Sequence, residues 1–316
     1  MRSTAKKNAL IVVAAAAAAI VASHAVAQEP LRWKLNVGDK LEYDTSQNSI
    51  VTIKGAPVGD ISLTTRQQMD MTWDVTEVNE QGDAAIQQKV ERIRVSMKRP
   101  TGQSIDYDSN AKEGTAGAAA TGTALFEALK KADFRFTLTP RGELKDIKVP
   151  DEVVQAFKNS PQAAQLGDQI TPEGIQKMLM QDVILLPEKV PTAGDTWTAK
   201  SEMSIPSVGN QIVDTTYKIE GTKDVAGKKH AVISAERKIG IAKAENQLLQ
   251  VEIKDQTADG QALFNTDEGR LSSMTLKQMV VMTASAAGQS IEQSLDQTSE
   301  VTVKPAGDDA ETAENN

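Results

Sequence analysis

Cysteine is absent from all 316 residues of the sequence. The chain therefore has no disulfide bond, no thiolate metal ligand and no cysteine nucleophile. It also lacks the cysteine that a lipid-modified N-terminus requires. We expect a protein held together by its hydrophobic core alone, which a chain of this length can bury.

Histidine and aromatic residues are scarce as well. His24 falls in the N-terminal segment described below, which leaves His230 as the one histidine of the remaining chain. A single histidine excludes histidine triads and multi-histidine metal sites, and we expect His230 to lie on the surface of a hairpin. Three Trp, three Tyr and five Phe offer few aromatic platforms for carbohydrate binding.

The acidic residues form no recognisable metal or catalytic motif. Segment DYDSN, residues 106–110, alternates oxygen-bearing side chains like a calcium loop, but Ala111 and Gly117 stand where an EF-hand needs Gly and Glu. Carboxylate pairs such as Asp267 and Glu268 fall in predicted turns, which favours solvation over a raised pKa. We predict no metal site and no cofactor, and we expect that the protein is not an enzyme.

The N-terminus has the three-part pattern of a secretory signal peptide. Arg2, Lys6 and Lys7 precede an apolar run, and Ala25-Val26-Ala27 supplies the small residues that a signal peptidase recognises. The run is shorter than the roughly 20 residues of a membrane-spanning helix. We expect cleavage after Ala27, a periplasmic or extracellular location and no integral membrane segment.

Acidic residues outnumber basic ones, and the formal net charge is −8. Nucleic acid is therefore not an expected partner, because binding it requires a basic surface. The C-terminal segment 304–316 ends in AGDDAETAENN, which carries acids and no base. We predict that this segment is a disordered acidic tail.

Alternation of apolar and polar residues dominates the rest of the chain. Between Ile61 and Val75 apolar residues favour odd positions and polar residues hold even positions, and segments near the C-terminus repeat the pattern. One face of such a segment would be buried and the other solvated. Turn signals such as NEQGD (79–83) and VAGKK (225–229) separate the segments. The sequence thus predicts long antiparallel strands joined by short hairpins.

Several phrases occur twice in the same order. TPRGELKDIKV and TDEGRLSSMTL, at 139–149 and 266–276, each combine a turn, a Gly and the start of a strand. VGDKL resembles AGDTW, and Glu91-Arg92 and Glu236-Arg237 align when the Gly of NEQGD is placed over the Gly of VAGKK. We infer that one β-meander is duplicated.

Helical patterns interrupt the strands in two places, at 111–131 and at 151–187. We predict a mainly β fold of the α+β class, in which a duplicated antiparallel β-meander forms a curved or nearly closed sheet with short helices against one face. The predicted organisation is a signal peptide (1–27), a first β repeat (28–150) with a helical insertion (about 111–131), a helical connector (151–187), a second β repeat (188–303) and the tail (304–316).

Four motifs follow one another along the chain: LRWKLNVGDKLEYD from Leu31, MDMTWDVTEV from Met69, YDS from Tyr107 and PEKVPTAGDTW from Pro187. Their order resembles a family of exported bacterial proteins of unknown function. The motifs mark turns and strand starts, so the resemblance implies no activity and no catalytic residue. A looser likeness is to periplasmic lipoprotein carriers, in which an unclosed, helix-covered sheet holds acyl chains.

Three hypotheses about function remain open. The first is an exported, non-enzymatic protein that binds a hydrophobic small molecule, a lipid or an envelope component in the concave face of its sheet. The second is a structural or protein-interaction module of the cell envelope, and the third and least favoured is a carboxylate-dependent hydrolase. Residues predicted to contact the ligand are Met71, Trp73, Phe126, Met178, Leu179 and Met274, since thioethers and large apolar side chains adapt to irregular ligands.

Overall fold

A computed structural model describes residues 29–55, 59–102, 104–111, 120–160, 170–172, 174–175, 184–205, 208–242, 249–286 and 289–306. The predicted signal peptide and almost all of the predicted tail lie outside these residues. Within them the chain forms the following elements: β1 (Lys40–Lys54), β2 (Ile61–Val78), β3 (Ala84–Lys98), β4 (Ser104–Asp108), α1 (Ala120–Lys131), β5 (Phe134–Leu138), β6 (Leu144–Lys148), α2 (Asp151–Lys158), β7 (Thr196–Ile205), β8 (Gly209–Val225), β9 (Lys228–Ala242), β10 (Gln250–Asn265), β11 (Arg270–Ala286) and β12 (Gln289–Pro305).

The strands form one antiparallel sheet in the order β6-β5-β3-β2-β1-β12-β11-β10-β9-β8-β7, with β4 beside β3. Nearly every strand pairs with its neighbour in sequence, and the pairing of β1 with β12 joins the two halves of the chain. In the described part of the chain β6 and β7 do not pair with each other, so the sheet is open. The predicted class, a mainly β antiparallel meander, is confirmed.

Short turns hold the long strands in register. Strands β8, β11 and β12 each span 17 residues, which at about 3.3 Å per residue is roughly 55 Å. Between β8 and β9 the turn consists of Ala226 and Gly227, with φ of 49° and 76°. Two consecutive positive φ angles give a hairpin turn that matches the right-handed twist of the strands.

The VGD and AGD phrases make the same local contacts. Gly38 donates its N–H to the carbonyl of Val75 on β2 and Asp39 accepts from the N–H of Val75, both at 2.9 Å. Gly194 and Asp195 make the same two bonds with β8, at 2.7 and 3.0 Å. Each phrase therefore locks the start of its strand against the strand that follows it.

The two TxxG phrases both lie in hairpin turns, and these turns meet at the N-terminal segment. The main-chain N–H of Trp33 donates to the carbonyl of Pro140, and the main-chain N–H of Lys34 donates to the carbonyl of Gly269, both at 2.8 Å. Gly142 and Gly269 have φ of 91° and 63°, a region that side chains disfavour. The repeated phrases thus converge on two consecutive residues at one end of the sheet.

The main hydrophobic core fills this end of the molecule. It combines buried residues of ten strands with the extended segment that contains Trp33 and with residues near Leu186. Its large side chains that are at most 2% exposed are Leu41, Ile86, Leu138, Leu186, Ile233 and Phe264.

Residues 184–188 form a strap that connects the two edges of the open sheet at the core end. Leu186 donates its N–H to the carbonyl of Arg141 in the β5–β6 turn, at 2.8 Å. The carbonyl of Leu185 accepts the indole N–H of Trp197 on β7, at 2.6 Å. Both edges are therefore hydrogen-bonded to one short segment, although their strands do not pair.

The helices cover the β3 side of the sheet. Phe126 of α1 packs against Tyr107, with ring centroids 4.9 Å apart, and α2 buries Val153 completely. Among the described residues, no helix is long and apolar enough to cross a membrane.

The prediction that His230 is a surface residue is wrong, because it is only 3% exposed. The register places it between Lys223 of β8 and Asn265 of β10, inside the sheet. Its Nδ1 lies 2.9 Å from the carbonyl oxygen of Lys228 and its Nε2 lies 2.9 Å from Oγ of Ser272. Both ring nitrogens are therefore hydrogen-bonded, as a buried imidazole requires.

Candidate functional site

Strands β2, β1, β12, β11 and β10 lie side by side, and alternate residues of each face the same side. We call the side that carries Leu41 and Tyr43 the inner face. On β1, β2 and β12 the inner-face residues are the odd positions within 41–53, 61–73 and 291–303. On β11 they are the even positions within 274–284, and on β10 they are positions 251 and 253 and the even positions within 256–262. None of these positions holds a charged residue, whereas the outer face of the same strands is rich in Asp, Glu, Lys and Arg.

The inner face has a core half and a distal half. In the distal half, Val51 pairs with Leu63 on one side and with Leu295 on the other, and Leu295 pairs with Val280. Around this row lies the distal apolar patch, which comprises Ile61, Leu63, Val51, Ile53, Leu295, Ile291, Val280, Met282, Ala284, Ile253 and Val251. All are half-buried except Val280, which is 1% exposed.

Apart from the buried Val280, the residues of the distal apolar patch lie outside the packed interior. None of its residues belongs to the four clusters of core residues in the described part of the chain. Four inter-strand spacings of about 4.8 Å make the patch roughly 19 Å wide across five strands. An apolar surface of this breadth that joins no core cluster of the described residues is a candidate binding site.

In the core half, the surroundings of Met274 are tightly packed. The cavity lined by Ile184, Tyr217, Ile233 and Met274 measures about 20 Å³, which suffices for about one water molecule. Met274, predicted to contact a ligand, is half-buried there and packs against the main core.

Trp73 and Met71, also predicted to contact a ligand, lie together on β2. Trp73 stacks on Tyr43 with ring centroids 4.1 Å apart and donates its indole N–H to Gln88 at 2.8 Å. Met71 is half-buried between the main core and the cluster under α1. Each therefore has packing partners within the protein.

The remaining predicted contacts are not brought to the same place. Phe126 packs under α1, in a cluster separate from the main core. Met178 and Leu179 lie outside the described residues. The role of all six side chains as ligand contacts stays a prediction.

Sequence analysis missed a row of glutamines between the two halves. The glutamine row consists of one inner-face residue on each of five adjacent strands: Gln67, Gln47, Gln297, Gln278 and Gln256. Gln47 lies opposite Gln67, Gln278 lies opposite Gln297, and Nε2 of Gln47 donates to Oε1 of Gln297 at 3.2 Å. The sequence shows one inward glutamine on each strand except β12, which has a second, Gln293, between Ile291 and Leu295. Only the register aligns the five residues of the row.

The last member of the row lies where the sheet divides. Strands β9 and β10 pair from His230 to Glu236 of β9, and in the described residues the pairing stops there. Beyond that point Gln256 accepts the N–H of Ile239 at 2.8 Å and donates to its carbonyl at 2.9 Å. The side chain of Gln256 thus replaces a main-chain pairing across the gap.

The outer face carries a balanced ionic cluster on β2, β3 and β4. Arg92 forms two hydrogen bonds with Asp108, at 3.0 and 2.5 Å, and Arg94 pairs with Asp70 at 2.5 Å. The bond from Arg92 is the main reason that the pKa of Asp108 falls to about 2. A cavity of about 430 Å³ beside them is lined by Arg66, Gln68, Arg94, Asp106, Tyr107 and Asp108. A carboxylate held ionised in this way is a poor general acid.

These features define an open, antiparallel β-sheet protein with a filled core at one end and an uncharged, partly apolar face at the other. The chain matches DUF6263, described as a family of unknown function, over residues 81–299. The protein therefore belongs to this family. No curated protein sequence matches the chain significantly.

The solved structures that match the chain are distant. A lipovitellin structure, described by its lipid–protein interactions, is 11% identical, with a TM-score of 0.45 over 86% of this chain and 26% of that one, so the chain spans about a quarter of its length. The COG4313 outer membrane channel from Pseudomonas putida F1 is 8% identical, with a TM-score of 0.21 over 86% and 98% of the two chains. A domain assigned as an outer membrane lipoprotein-sorting protein from Vibrio parahaemolyticus is 10% identical, with a TM-score of 0.14 over 87% and 88%. At these values the likeness carries no argument about this chain's ligand.

Proposed function

We propose that the protein is an exported, non-enzymatic binding protein that holds a hydrophobic ligand or envelope component on the distal half of its inner face. The observation that carries this proposal is the charge-free inner face of five adjacent strands, with its distal apolar patch outside the packed core. The signal-peptide pattern that ends at Ala27 supports a periplasmic or extracellular location.

Burial of the patch supplies the driving force. Complete burial of a Val, Leu, Ile or Met side chain is worth roughly 1.5–3 kcal/mol. The half-buried residues of the patch have gained only part of this free energy in the folded protein. A ligand that covers several of these residues would bury the rest of their apolar surface, and the free energy of that burial would contribute to its affinity.

The ionisable groups support a role without catalysis. In the described residues, the five carboxyl groups whose pKa is shifted all titrate below their usual range, mainly through hydrogen bonds and opposite charges: Asp108, Asp133, Asp195, Glu220 and Glu268. For Glu268 burial opposes the shift, but the bonds from Lys228 and Arg270 prevail. Acid–base catalysis near neutral pH needs the opposite shift.

Binding of an uncharged fluorescent probe, N-phenyl-1-naphthylamine, tests the proposal. Val51 faces inward and Ile50, its neighbour on β1, faces outward and is 45% exposed. We expect Val51→Asp to weaken probe binding about tenfold or more, because it places a charge on an apolar surface. The control Ile50→Asp should leave the affinity unchanged. Equal effects of the two substitutions, or no probe binding by the wild type, would refute the proposal.

A second candidate function is the envelope interaction module. Strand β7 is ten residues long and, in the described part of the chain, pairs only with β8. A strand edge that pairs with no other strand of the described residues can accept a strand from a partner protein. Glu202 lies within β7. If this function is correct, Glu202→Pro should abolish cross-linking to a partner in the envelope and leave probe binding unchanged.

A further inference from the structure

The glutamine row lies directly beside the distal apolar patch. On β12 the next inward residue after Leu295 is Gln297, and on β11 Gln278 precedes Val280. A ligand seated on the patch would therefore meet a line of amides at one side. An amide has two N–H donors and one carbonyl acceptor, and it carries no charge.

Part of this hydrogen-bonding capacity is unused. Gln47 and Gln297 bond to each other and Gln297 donates to Ser299 at 3.1 Å, while Gln256 is engaged with β9. The side-chain amides of Gln67 and Gln278 have no hydrogen-bond partner among the described residues. Both residues are half-buried with amide atoms that solvent can reach, so a polar group of a ligand can replace water as their partner.

No opposite charge is available on the five strands for an ionised ligand group. The inner face of β2, β1, β12, β11 and β10 has neither Lys nor Arg. On the neighbouring strand β9, Arg237 points to the inner side, but it already has an interaction within the protein. A carboxylate or phosphate on this surface would lose water without gaining a counter-charge, which is strongly unfavourable.

We propose that the ligand is an uncharged amphiphile, with an acyl chain on the distal apolar patch and an ester, amide or hydroxyl group hydrogen-bonded to the glutamine row. This inference rests on the proposed function, since it assigns the chemical class of the ligand that binds there. It predicts selection against fatty acids and acidic lipids of the same chain length.

Competition for the fluorescent probe measures this selectivity with three compounds of equal chain length: glycerol monolaurate, laurate and dodecane. We expect glycerol monolaurate to bind about tenfold or more tightly than laurate at neutral pH, because desolvation of the carboxylate is uncompensated. Equal affinity for the two, or a preference for laurate, would overturn the inference while leaving the proposed function intact. A preference for laurate that Arg237→Gln removes would assign the anion to that residue. Failure of all three compounds and of the probe would remove both proposals.

Two substitutions locate the polar contact. Gln67→Leu and Gln278→Leu should each reduce affinity for glycerol monolaurate about threefold or more relative to dodecane, because a hydrogen bond is lost and apolar surface is gained. Gln68→Leu makes the same change at the next residue, which faces outward, and should leave the ratio unchanged. If the inward and outward variants change the ratio equally, the glutamine row is not the contact.

Discussion

The two halves of the inner face are built from the same strands but have different packing. In the core half, Leu41 and Tyr43 of β1 are buried under the N-terminal segment and the strap. Farther along the same strand, Val51 and Ile53 are equally apolar but half-buried and outside the core clusters. Alternation of apolar residues therefore shows which face is turned inward, and it does not show whether anything covers that face.

The cover comes from segments that are not strands. The core half is closed because two hairpin turns, the segment around Trp33 and the strap converge there. In the described residues, these segments share no core cluster with the residues of the distal apolar patch. Apolar side chains in the first region stabilise the fold, and we assign those in the second region to binding.

The largest expected effect separates the two halves by stability. Leu41 is fully buried, and Leu41→Ala should lower the free energy of unfolding by about 3 kcal/mol through lost burial and a cavity. Leu63→Ala, the same change in the distal half, should cost about 1 kcal/mol or less. Denaturant titration of both variants checks the difference. Similar losses would mean that the distal half is an ordinary core.

A smaller effect should test the strap. A Cβ at Gly142 would lie 2.4 Å from the carbonyl oxygen of Ile184 in the strap, whereas a Cβ at Gly194 would meet nothing within 4 Å. Both glycines have nearly the same φ, 91° and 93°. Gly194→Ala should therefore cost about 1 kcal/mol of backbone strain, and Gly142→Ala about 2 kcal/mol or more. Thermal unfolding of the pair isolates the contact with the strap, and equal shifts would exclude it.

The smallest expected effect concerns the outer face. Arg92 holds the pKa of Asp108 at about 2. A carboxyl group with a depressed pKa contributes stability above its unfolded pKa of about 3.9 and loses it as the pH falls through the folded value. Asp108→Asn should lower the melting temperature slightly at pH 7 because the pair is partly exposed. The difference from the wild type should shrink as the pH falls towards 2 and vanish below it. Asp106→Asn, which removes no such pair, is the control. A difference that persists at low pH would contradict the assignment.

Much of the fold could be predicted from the sequence because its determinants are local. The alternation of apolar and polar residues predicted the long strands, and the turn residues predicted the hairpins. The repeated phrases VGDKL and AGDTW marked equivalent turns at Gly38 and Gly194. The aligned pairs Glu91-Arg92 and Glu236-Arg237 are not oriented alike in the structure. Arg92 follows a bulge and faces outward, while Arg237, in a strand without that bulge, faces inward.

The site was harder to predict because it depends on register and on what covers each strand. Trp73, Met71 and Met274 have the composition of a ligand pocket, but they occupy the filled core half. His230 looked like a turn residue, yet β10 pairs beside it and buries it. The glutamine row exists only when five strands separated by up to 250 residues are aligned.

A single-cysteine label provides the most direct test of the central claim that the distal half of the inner face binds the ligand. The natural chain has no cysteine, so Val51→Cys and Ile50→Cys each give one labelling site for an environment-sensitive dye. Addition of glycerol monolaurate should shift the emission of the dye at residue 51 to the blue and leave the dye at residue 50 unchanged. Equal responses at the two residues, or no response at residue 51 while the probe still binds elsewhere, would contradict the claim.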